Sequence, residues 1–458
     1  MIENDAFKLL LINLFHLNPD DIANIFCTTF NKMMVLIVTL ADKHQACPYC
    51  GFTAPKIKEY VTKEITHSAL TTQKCIIKYR ARRYKCPCCG KTYYEFNPFV
   101  FKSQKISILT VHNILKDLKD FNETFTSVAR RYHVSPTSVS TIFDNHVDIG
   151  RNPLPEIINF DEVYAFKSEK SKYVCVLLDF KKQIPVDVLP NRKKEYLLNY
   201  FQKIPLEERK KVKYACSDMY EVYRDVVHKV FPEAKHLLDY FHLSQDFHKK
   251  MNEVRIKVMK GYKDDKASDE YYLLKKFNWL LFKNPEDEDK YGRLFDVERE
   301  RKYNSHFKSY MNYYDLRRKL LEINNDLTIC YSLKLELVDF YSKSTIDNAQ
   351  VNLEHLIRNC IDTNIEEMIA FSNNLINWKQ EIINSFTIVG TEYKVEADKG
   401  QVVVCNKKVN NAIIENRNKI IKCIKNNANG YTNWSRFRNR VMYVLDPNTT
   451  FSLEPREK

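Results

Sequence analysis

Glycine is scarce in this sequence, with eight in 458 residues. A dinucleotide-binding fingerprint needs three closely spaced glycines, and the eight positions supply no such group. Gly90-Lys91-Thr92 matches the end of the phosphate-binding P-loop motif, but position 85, where that motif requires its first glycine, is a lysine. The sequence therefore excludes nucleotide hydrolysis by a P-loop.

Long apolar runs and a basic amino terminus are also missing. The longest mainly apolar run, residues 33–41, covers nine positions, whereas a membrane-spanning helix needs about 20. The chain opens Met-Ile-Glu-Asn-Asp, which is acidic where a secretory signal is basic. An odd total of 13 cysteines, several in Cys-x-x-Cys pairs, is typical of free thiols and metal ligands. These features predict a cytoplasmic protein without a membrane anchor.

Positive charge, by contrast, is abundant. Lysine and arginine number 72 against 58 acidic residues, a net charge of +14. Such a surplus favours a polyanionic partner such as nucleic acid. A chain of 458 residues is also too long for one compact core, which predicts a multidomain α+β protein of roughly two to four domains.

Two matching cysteine motifs occur in the first hundred residues: Cys47-Pro-Tyr-Cys50-Gly51 and Cys86-Pro-Cys-Cys89-Gly90. Each places two thiolates on a tight turn, and the glycine that follows tolerates a positive φ. Two such turns predict a four-thiolate zinc site in a zinc ribbon, with Cys88 outside it. The alternative is a set of buried cysteines beside two unrelated turns.

Residues 74–82 alternate basic with apolar positions, which is typical of a strand with one buried face. Lys78, Arg80 and Arg82 would lie on the outer face. Between residues 56 and 105 there are 12 basic and three acidic residues. We interpret this face as a contact surface for DNA phosphates, although a merely solvated basic face is the alternative.

Residues 125–143 predict a helix-turn-helix. Ser135 can cap the second helix, with Pro136 at its first position, and Val139 and Ile142 would face the core. The remaining positions would point outward to DNA: Thr137, Ser138, Ser140 and Thr141. An ordinary helical hairpin is the alternative.

After a proline-containing linker at residues 149–155, the pattern changes to strands. Strands are predicted at residues 157–166, 173–180, 184–189, 212–217 and 235–240. Helices at residues 193–204 and 219–230 separate the last three strands, so three strands are followed by helix, strand, helix and strand. This order is that of a ribonuclease-H-like sheet. A charged helical block follows to about residue 378.

Two aspartates occupy informative positions on these strands. Asp161 lies within the first strand and Asp218 directly after the fourth. A carboxylate among apolar strand residues is costly unless it is paired or bound to metal, so the two could share a divalent cation on neighbouring strands. A turn or capping role is the alternative for each, and Asp179 and Asp187 are rivals at strand ends.

A third carboxylate is isolated in a basic stretch. Glu415 is followed by seven lysines and arginines between residues 417 and 440. On a helix it shares a face with Asn411, Lys419 and Lys422, with isoleucines behind. Such cations would hold phosphates beside a catalytic carboxylate, although a salt-bridge role for Glu415 is the alternative. Other glutamates compete: Glu354, Glu366, Glu367, Glu381, Glu392 and Glu396.

With these motifs, the chain resembles the DDE transposases of bacterial insertion sequences, in the zinc-ribbon branch of the ISL-three type. The resemblance extends over nearly the whole chain. It rests on the two cysteine motifs and on four further stretches: NFDEVYAF, SDMYEVYRDVVHKVFPEAKHLLDYFHL, WLLFKNPED and NNAIIENRNKIIKCIKNNANGYTNWSRFRNRV.

The resemblance implies that Asp161, Asp218 and Glu415 form the catalytic triad of a ribonuclease-H-like domain interrupted by a helical insertion. It also implies that an Asp-x-x-His motif, formed by Asp239 and His242, helps to position the DNA end. Where the family usually has Glu-Gly and, before it, Ser-Asn, this chain has Glu415-Asn416 and Asn410-Asn411.

The implied activity is cleavage and strand transfer at terminal inverted repeats, with two magnesium or manganese ions and one structural zinc. The implied partners are double-stranded end and target DNA and a second copy of the chain, so the protein would be associated with the bacterial nucleoid. A non-cutting DNA-binding regulator and a nuclease on the same fold are the alternatives.

The expected domain order follows from these features. The segments are a ribbon domain (1–105), a helix-turn-helix domain (106–150), the first part of the catalytic domain (156–242), a mainly helical insertion (243–405) and the remainder of the catalytic domain (406–458).

Overall fold

The computed structural model describes residues 2–43, 45–101, 104–166, 171–395 and 402–456. After helix α1 (Ile2–Leu14), an amino-terminal sheet has the order β1-β2-β4-β3, with β5 paired to β4. Its strands are β1 (Ile22–Phe30), β2 (Met33–Leu40), β3 (Lys56–Thr66), β4 (Cys75–Lys85) and β5 (Thr92–Tyr94). The alternation expected for residues 74–82 is confirmed, because Cys75, Ile77, Tyr79 and Ala81 are buried.

Three short helices follow: α2 (Ile108–Asp117), α3 (Phe125–Arg131) and α4 (Pro136–His146). The predicted start of α4 is confirmed, since Ser135 accepts a hydrogen bond from the Ser138 N–H with Pro136 in the first turn. Val139 and Ile142 are buried as expected.

One outward position predicted on α4 is wrong. Ser140 is buried, with 9% exposure, and its hydroxyl donates to the carbonyl of Thr137 at 3.0 Å. Thr137 and Thr141 are exposed and Ser138 is half-buried. Ser140 lies next to the buried Val139, at the edge of the buried side of the helix. A small hydroxyl that hydrogen-bonds to its own helix backbone is readily accommodated there.

The central sheet has the order β10-β9-β6-β7-β8. Strands β6, β7 and β8 are antiparallel neighbours, whereas β6, β9 and β10 run parallel. The five strands match the predicted runs closely: β6 (Ile157–Tyr164), β7 (Tyr173–Asp179), β8 (Pro185–Leu189), β9 (Tyr214–Ser217) and β10 (Lys235–Leu238). Between them lie α5 (Lys194–Gln202), α6 (Leu206–Arg209) and α7 (Glu221–Val230).

A helical block with its own apolar core follows β10. Its helices are α8 (Tyr240–Lys260), α9 (Asp269–Lys276), α10 (Tyr313–Glu322), α11 (Asn325–Lys343), α12 (Ala349–Asp362), α13 (Glu366–Asn377) and α14 (Lys379–Asn384). Two small hairpins, which the sequence pattern does not predict, interrupt it: β11 (Glu288–Asp289) with β12 (Gly292–Arg293), and β13 (Lys302–Asn304) with β14 (Ser309–Met311). Within the described residues, no helix combines the length and apolarity needed to cross a bilayer.

The chain then forms the hairpin β15 (Ile388–Val395) and β16 (Val402–Lys408) and ends with α15 (Ala412–Asn427) and α16 (Trp434–Leu445). The central sheet is covered on both faces. Helices α5 and α7 contribute Phe201 and Val226 to one apolar layer, and α15 and α16 contribute Ile421 and Val441 to the other. Because Phe160 belongs to the first layer and Val163 to the second, the alternating strand places Asp161 on the α15 side.

Helix α16 also belongs to the core of the short-helix region. Tyr443 packs with Val128 and Phe143, and the buried Arg440 donates to the carbonyls of Asp120 and Glu123 at 2.8 Å. A fragment that ends near Gly150 would therefore lose part of its own core, so DNA binding is best measured on the full chain.

Candidate active site and cysteine cluster

Three aspartates form a row across β6, β9 and β10. Asp161 lies within β6 just beyond the part that pairs with β9, and Asp218 and Asp239 directly follow β9 and β10. In the sheet register Asn159 is opposite Cys216, and Leu238 is opposite Ser217. Asp161 and Asp218 each lie two residues beyond the first pair, and Asp239 lies one residue beyond the second. Parallel neighbouring strands thus bring these carboxylates to one edge, where polar groups of open α/β sheets commonly gather.

Asp161 lies beneath α15 and is 9% exposed. One carboxylate oxygen accepts from the Asn418 amide at 2.8 Å, and the other accepts from the Glu162 N–H at 2.8 Å. Burial, with a further contribution from the charges of Glu162 and Asp218, raises the pKa of Asp161 to about 7. The ionised carboxylate is therefore a group that a bound cation would stabilise.

Asp218 has an oxygen, Oδ1, that is buried and has no hydrogen-bond partner among the described residues. Burial first, then the charge of Glu162, raises the pKa of Asp218 to about 6. A buried carboxylate oxygen without a donor is costly. Asp218 thus has the free acceptor that a metal ligand requires.

The rival strand aspartates are engaged elsewhere. Asp179 accepts from the N–H groups of Lys181 and Lys182 in a turn. Asp187 pairs with Arg438 at 2.6 Å and accepts from the Tyr200 hydroxyl at 2.7 Å. Both have the structural roles that a strand-end carboxylate commonly takes.

Glu415 lies on the first turn of α15, where it meets Asp239 and His242. Ligand atoms of these three residues lie within 4.8 Å of one another. Oδ2 of Asp239 and Nε2 of His242 are buried without hydrogen-bond partners among the described residues, 3.9 Å apart. Burial raises the pKa of Asp239, and the charge of Glu415 contributes. His242 links this set to Asp161 and Asp218, because its charge opposes the rise that burial causes in the pKa of both carboxyl groups. Asp161, Asp218 and Glu415 do not themselves form a cluster within 4.8 Å among the described residues.

Asn411 connects the elements of the site. Its side-chain oxygen accepts from the Asn159 amide at 2.7 Å, and its amide donates to the Phe160 carbonyl at 3.3 Å. Its backbone N–H donates to Asp239 at 3.4 Å. Fully buried, Asn411 fixes the start of α15 against β6 and thereby the position of Glu415.

Four further residues of the site are not among the candidates that the sequence predicts. Asn159 and Asn418 orient Asn411 and Asp161, and Glu162 pairs with Arg192 near the aspartates. For two of them, the sequence pattern contains a feature that could have identified them. Asn159 is a polar residue in an apolar strand two positions before Asp161, and Asn418 follows Glu415 by three positions, hence on the same helix face.

The four competing glutamates with described side chains lie outside the site. Glu354 pairs with Lys379 at 2.6 Å, and Glu366 and Glu367 lie near Lys257. Glu381 is buried near two histidines. Glu392 belongs to β15, and Glu396 lies outside the described residues.

The four predicted cysteines come together at one end of the amino-terminal sheet. The Sγ atoms of Cys47 and Cys89 are 3.7 Å apart, and those of Cys50 and Cys86 are 3.5 Å apart. A tetrahedral zinc thiolate has sulfur separations of about 3.8 Å, so the cluster can hold zinc. Cys88 is exposed and outside it.

Both cysteine turns have the same backbone. Gly51 and Gly90 have φ values of 74° and 70°, and their N–H groups bond the carbonyls of Cys47 and Cys86. The expected positive φ is confirmed at both glycines. Backbone N–H groups, foremost that of Cys89, lower the pKa of the Cys86 thiol to about 7.

The basic residues predicted to contact DNA divide into two groups. Arg80, Lys419 and Lys422 are exposed, and Lys78 is exposed beside Glu64, 2.9 Å away. Arg82 shares the face of Lys78 and Arg80 but is largely covered. Its side chain is 15% exposed and pairs with the buried Glu95 at 2.8 Å, so its charge is balanced within the domain.

Comparison with known proteins places this geometry in a family. A family model described as a transposase, of the DDE and ISL3 type, matches residues 158–397. The match contains Asp161, Asp218, Asp239 and His242 and ends before Glu415. The transposase for insertion sequence element IS1001 of Bordetella parapertussis is 20% identical over 409 residues, which cover 89% of this chain and 90% of that protein. The chain belongs to the ISL3 family of DDE transposases.

Proposed function

We propose that this protein binds the terminal inverted repeats of its insertion sequence and catalyses metal-dependent cleavage and strand transfer of DNA. The observation that carries the proposal is the row of Asp161, Asp218 and Asp239 on three adjacent strands, with Glu415 beside Asp239. The order of the central sheet, three antiparallel strands and then two parallel ones, supports a ribonuclease-H-like catalytic domain.

Asp161, Asp218 and Glu415 would hold two magnesium or manganese ions. The fit is good because the donors are carboxylate oxygens, which these ions prefer, and because Asp218 Oδ1 has no other partner among the described residues. Bound there, the ions would activate water or a DNA 3′-hydroxyl and stabilise the leaving oxygen during in-line attack on phosphorus.

The protein's own groups prepare this site. Asn418 orients Asp161, and Asn411 anchors the helix that carries Glu415. Asp239 and His242 adjoin Glu415, and His242 is one-quarter exposed. We propose that this pair helps to position the scissile DNA end.

End recognition would combine two surfaces. We assign phosphate contacts to Lys78, Arg80, Lys419 and Lys422, and base contacts to Thr137, Ser138 and Thr141 on α4 as the second helix of a helix-turn-helix. A zinc ion in the four-cysteine cluster would hold the ribbon in shape. Because two ends must be joined, we propose a homodimer on DNA.

The test uses the DNA that flanks the gene. A short duplex carrying the inverted repeat found there should be nicked at the element's boundary in the presence of Mg²⁺, and the new 3′ end should join to a target plasmid. Cleavage without joining would favour a nuclease, and specific binding without cleavage would favour a regulator.

Mg²⁺ should raise the melting temperature of the wild-type protein, because binding to the folded state stabilises it. Asp218→Asn should remove this shift, since it replaces the unpartnered charged oxygen. Melting curves of both proteins with and without Mg²⁺ check this. Asp179→Asn serves as the control and should keep the Mg²⁺ shift; an equal shift in wild type and Asp218→Asn would contradict the assignment.

The double variant Thr137→Ala and Thr141→Ala should bind the inverted repeat about tenfold or more weakly, because each base contact contributes roughly 1–3 kcal/mol. Binding to random DNA should hardly change, since phosphate contacts remain. Competition binding at fixed salt measures both. Thr126, exposed on α3, provides a Thr→Ala control, and equal losses on both DNAs would refute base recognition by α4.

A further inference from the structure

A second group of metal-binding side chains lies apart from the carboxylate row, where α7, β10 and α14 meet. It consists of His228, His236 and Glu381, whose ligand atoms lie within 4.8 Å of one another. Oε1 of Glu381 is 3.9 Å from Nε2 of His228 and 4.0 Å from Nδ1 of His236. His236 and Glu381 are buried, with side chains 0% and 6% exposed.

Hydrogen bonding determines which nitrogen of His236 carries the proton. The Ser217 hydroxyl donates its one proton to the Asp218 carbonyl at 2.9 Å. The same oxygen lies 2.9 Å from Nε2 of His236, and with the hydroxyl proton directed at the carbonyl we assign the proton of the His236 ring to Nε2. Nδ1 then has a lone pair, because a neutral imidazole has one donor and one acceptor nitrogen. Burial lowers the pKa of His236 to about 3, which keeps the ring neutral.

This lone pair faces a carboxylate. Nδ1 of His236 is buried, has no hydrogen-bond partner among the described residues and lies 4.0 Å from Oε1 of Glu381. Two acceptors that face each other in a buried place require a positively charged or proton-donating group between them. We propose that His228, His236 and Glu381 bind a zinc-class divalent transition metal.

The donor set agrees with that class of ion. Two imidazoles and a carboxylate are zinc ligands, whereas magnesium and calcium prefer oxygen alone. The bond from Nε2 of His236 to Ser217 is the outer hydrogen bond that orients a metal-binding histidine. Tetrahedral ligands lie about 3.4 Å apart, and His228, 57% exposed, is free to close the remaining distance.

Such an ion would join the helical block to the catalytic sheet. Glu381 lies on α14, and His236 lies on β10 three residues before Asp239. Asn384 of α14 already donates to the His236 carbonyl at 2.9 Å. The metal would therefore stiffen the strand that carries Asp239, without taking part in the chemistry at the carboxylate row.

The test is the zinc content of the full-length protein, dialysed in millimolar Mg²⁺ so that the carboxylate row does not take up zinc. The wild type should hold about two zinc ions per chain, one in the cysteine cluster and one here. His228→Ala and Glu381→Gln should each hold one fewer and should melt at a lower temperature. The readout does not depend on DNA cleavage.

A matched control is His355→Ala, because His355 is exposed and lies 3.1 Å from Glu336 without belonging to a three-residue cluster among the described residues. It should keep the wild-type zinc content. His228→Ala decides the matter if Glu381→Gln fails to fold, since His228 is largely exposed. Unchanged zinc content in His228→Ala would overturn the proposal. A water molecule or a proton on Glu381 would then account for the contact between Nδ1 of His236 and Glu381.

Discussion

Glu415→Gln is expected to abolish strand cleavage while the protein keeps its fold, its zinc and its binding to the inverted repeat. Glutamine retains the size of the side chain but removes the negative charge that would help to hold the ions. Loss of a metal-dependent contribution of about 4 kcal/mol to the transition state corresponds to roughly a thousandfold slower reaction. Asp161→Asn and Asp218→Asn should have the same effect, measured as nicking of the end duplex.

Variants of other carboxylates show whether the effect is specific to Glu415. Glu354→Gln removes an exposed carboxylate that pairs with Lys379, and it should leave cleavage intact. Glu392→Gln and Glu396→Gln should likewise retain substantial activity. The sharper rival is Asp239, which lies in the same row as Asp161 and Asp218. If Glu415→Gln still cleaves and Asp239→Asn does not, the third ligand is Asp239 rather than Glu415.

Cys47→Ser should remove one zinc ion per chain and unfold the end of the amino-terminal sheet. Binding of zinc to a four-thiolate site contributes about 10 kcal/mol or more to folding, and the two cysteine turns have a small apolar core of their own with Tyr84 and Tyr93. Specific binding to the inverted repeat should fall with it. Metal analysis and a DNA-binding titration measure the two losses.

The neighbouring cysteine supplies the control. Cys88 lies between two ligand positions but is exposed and outside the cluster, so Cys88→Ser should keep the wild-type zinc content. Cobalt substitution adds a spectroscopic check, because thiolate-to-cobalt absorption should disappear in Cys47→Ser and persist in Cys88→Ser. Identical zinc content in Cys47→Ser and wild type would refute a zinc site formed by the four cysteines.

Local sequence patterns predict most of the elements. The strands of the central sheet agree with their predicted ranges within two residues. Strand β1 was not predicted, because Ile22 and Ile25 are its two buried residues and the remainder lack a clear alternation. The two turns that gather the cysteines are equally local, since each is encoded within five consecutive residues.

The sequence by itself also identified Asp161 and Asp218 as candidates, because a carboxylate within an apolar strand or directly after one differs from its apolar neighbours. It could not show that Asp239 and His242 meet Glu415, or that Asn418 donates to Asp161. These partners are far apart in the chain, and their proximity depends on how α15 packs across the sheet.

Contacts between residues that are far apart in the chain also explain why two residues predicted to face outward, Arg82 and Ser140, are covered. Periodicity indicates which face of an element is buried against its nearest layer, but it does not reveal a partner from another element. Glu95 pairs with Arg82 and leaves it largely covered. The burial of Ser140 and the packing of α16 among the short helices likewise depend on the tertiary structure. Local pattern therefore determined the elements and the aspartates on the central strands, whereas long-range packing decided which side chains complete the site.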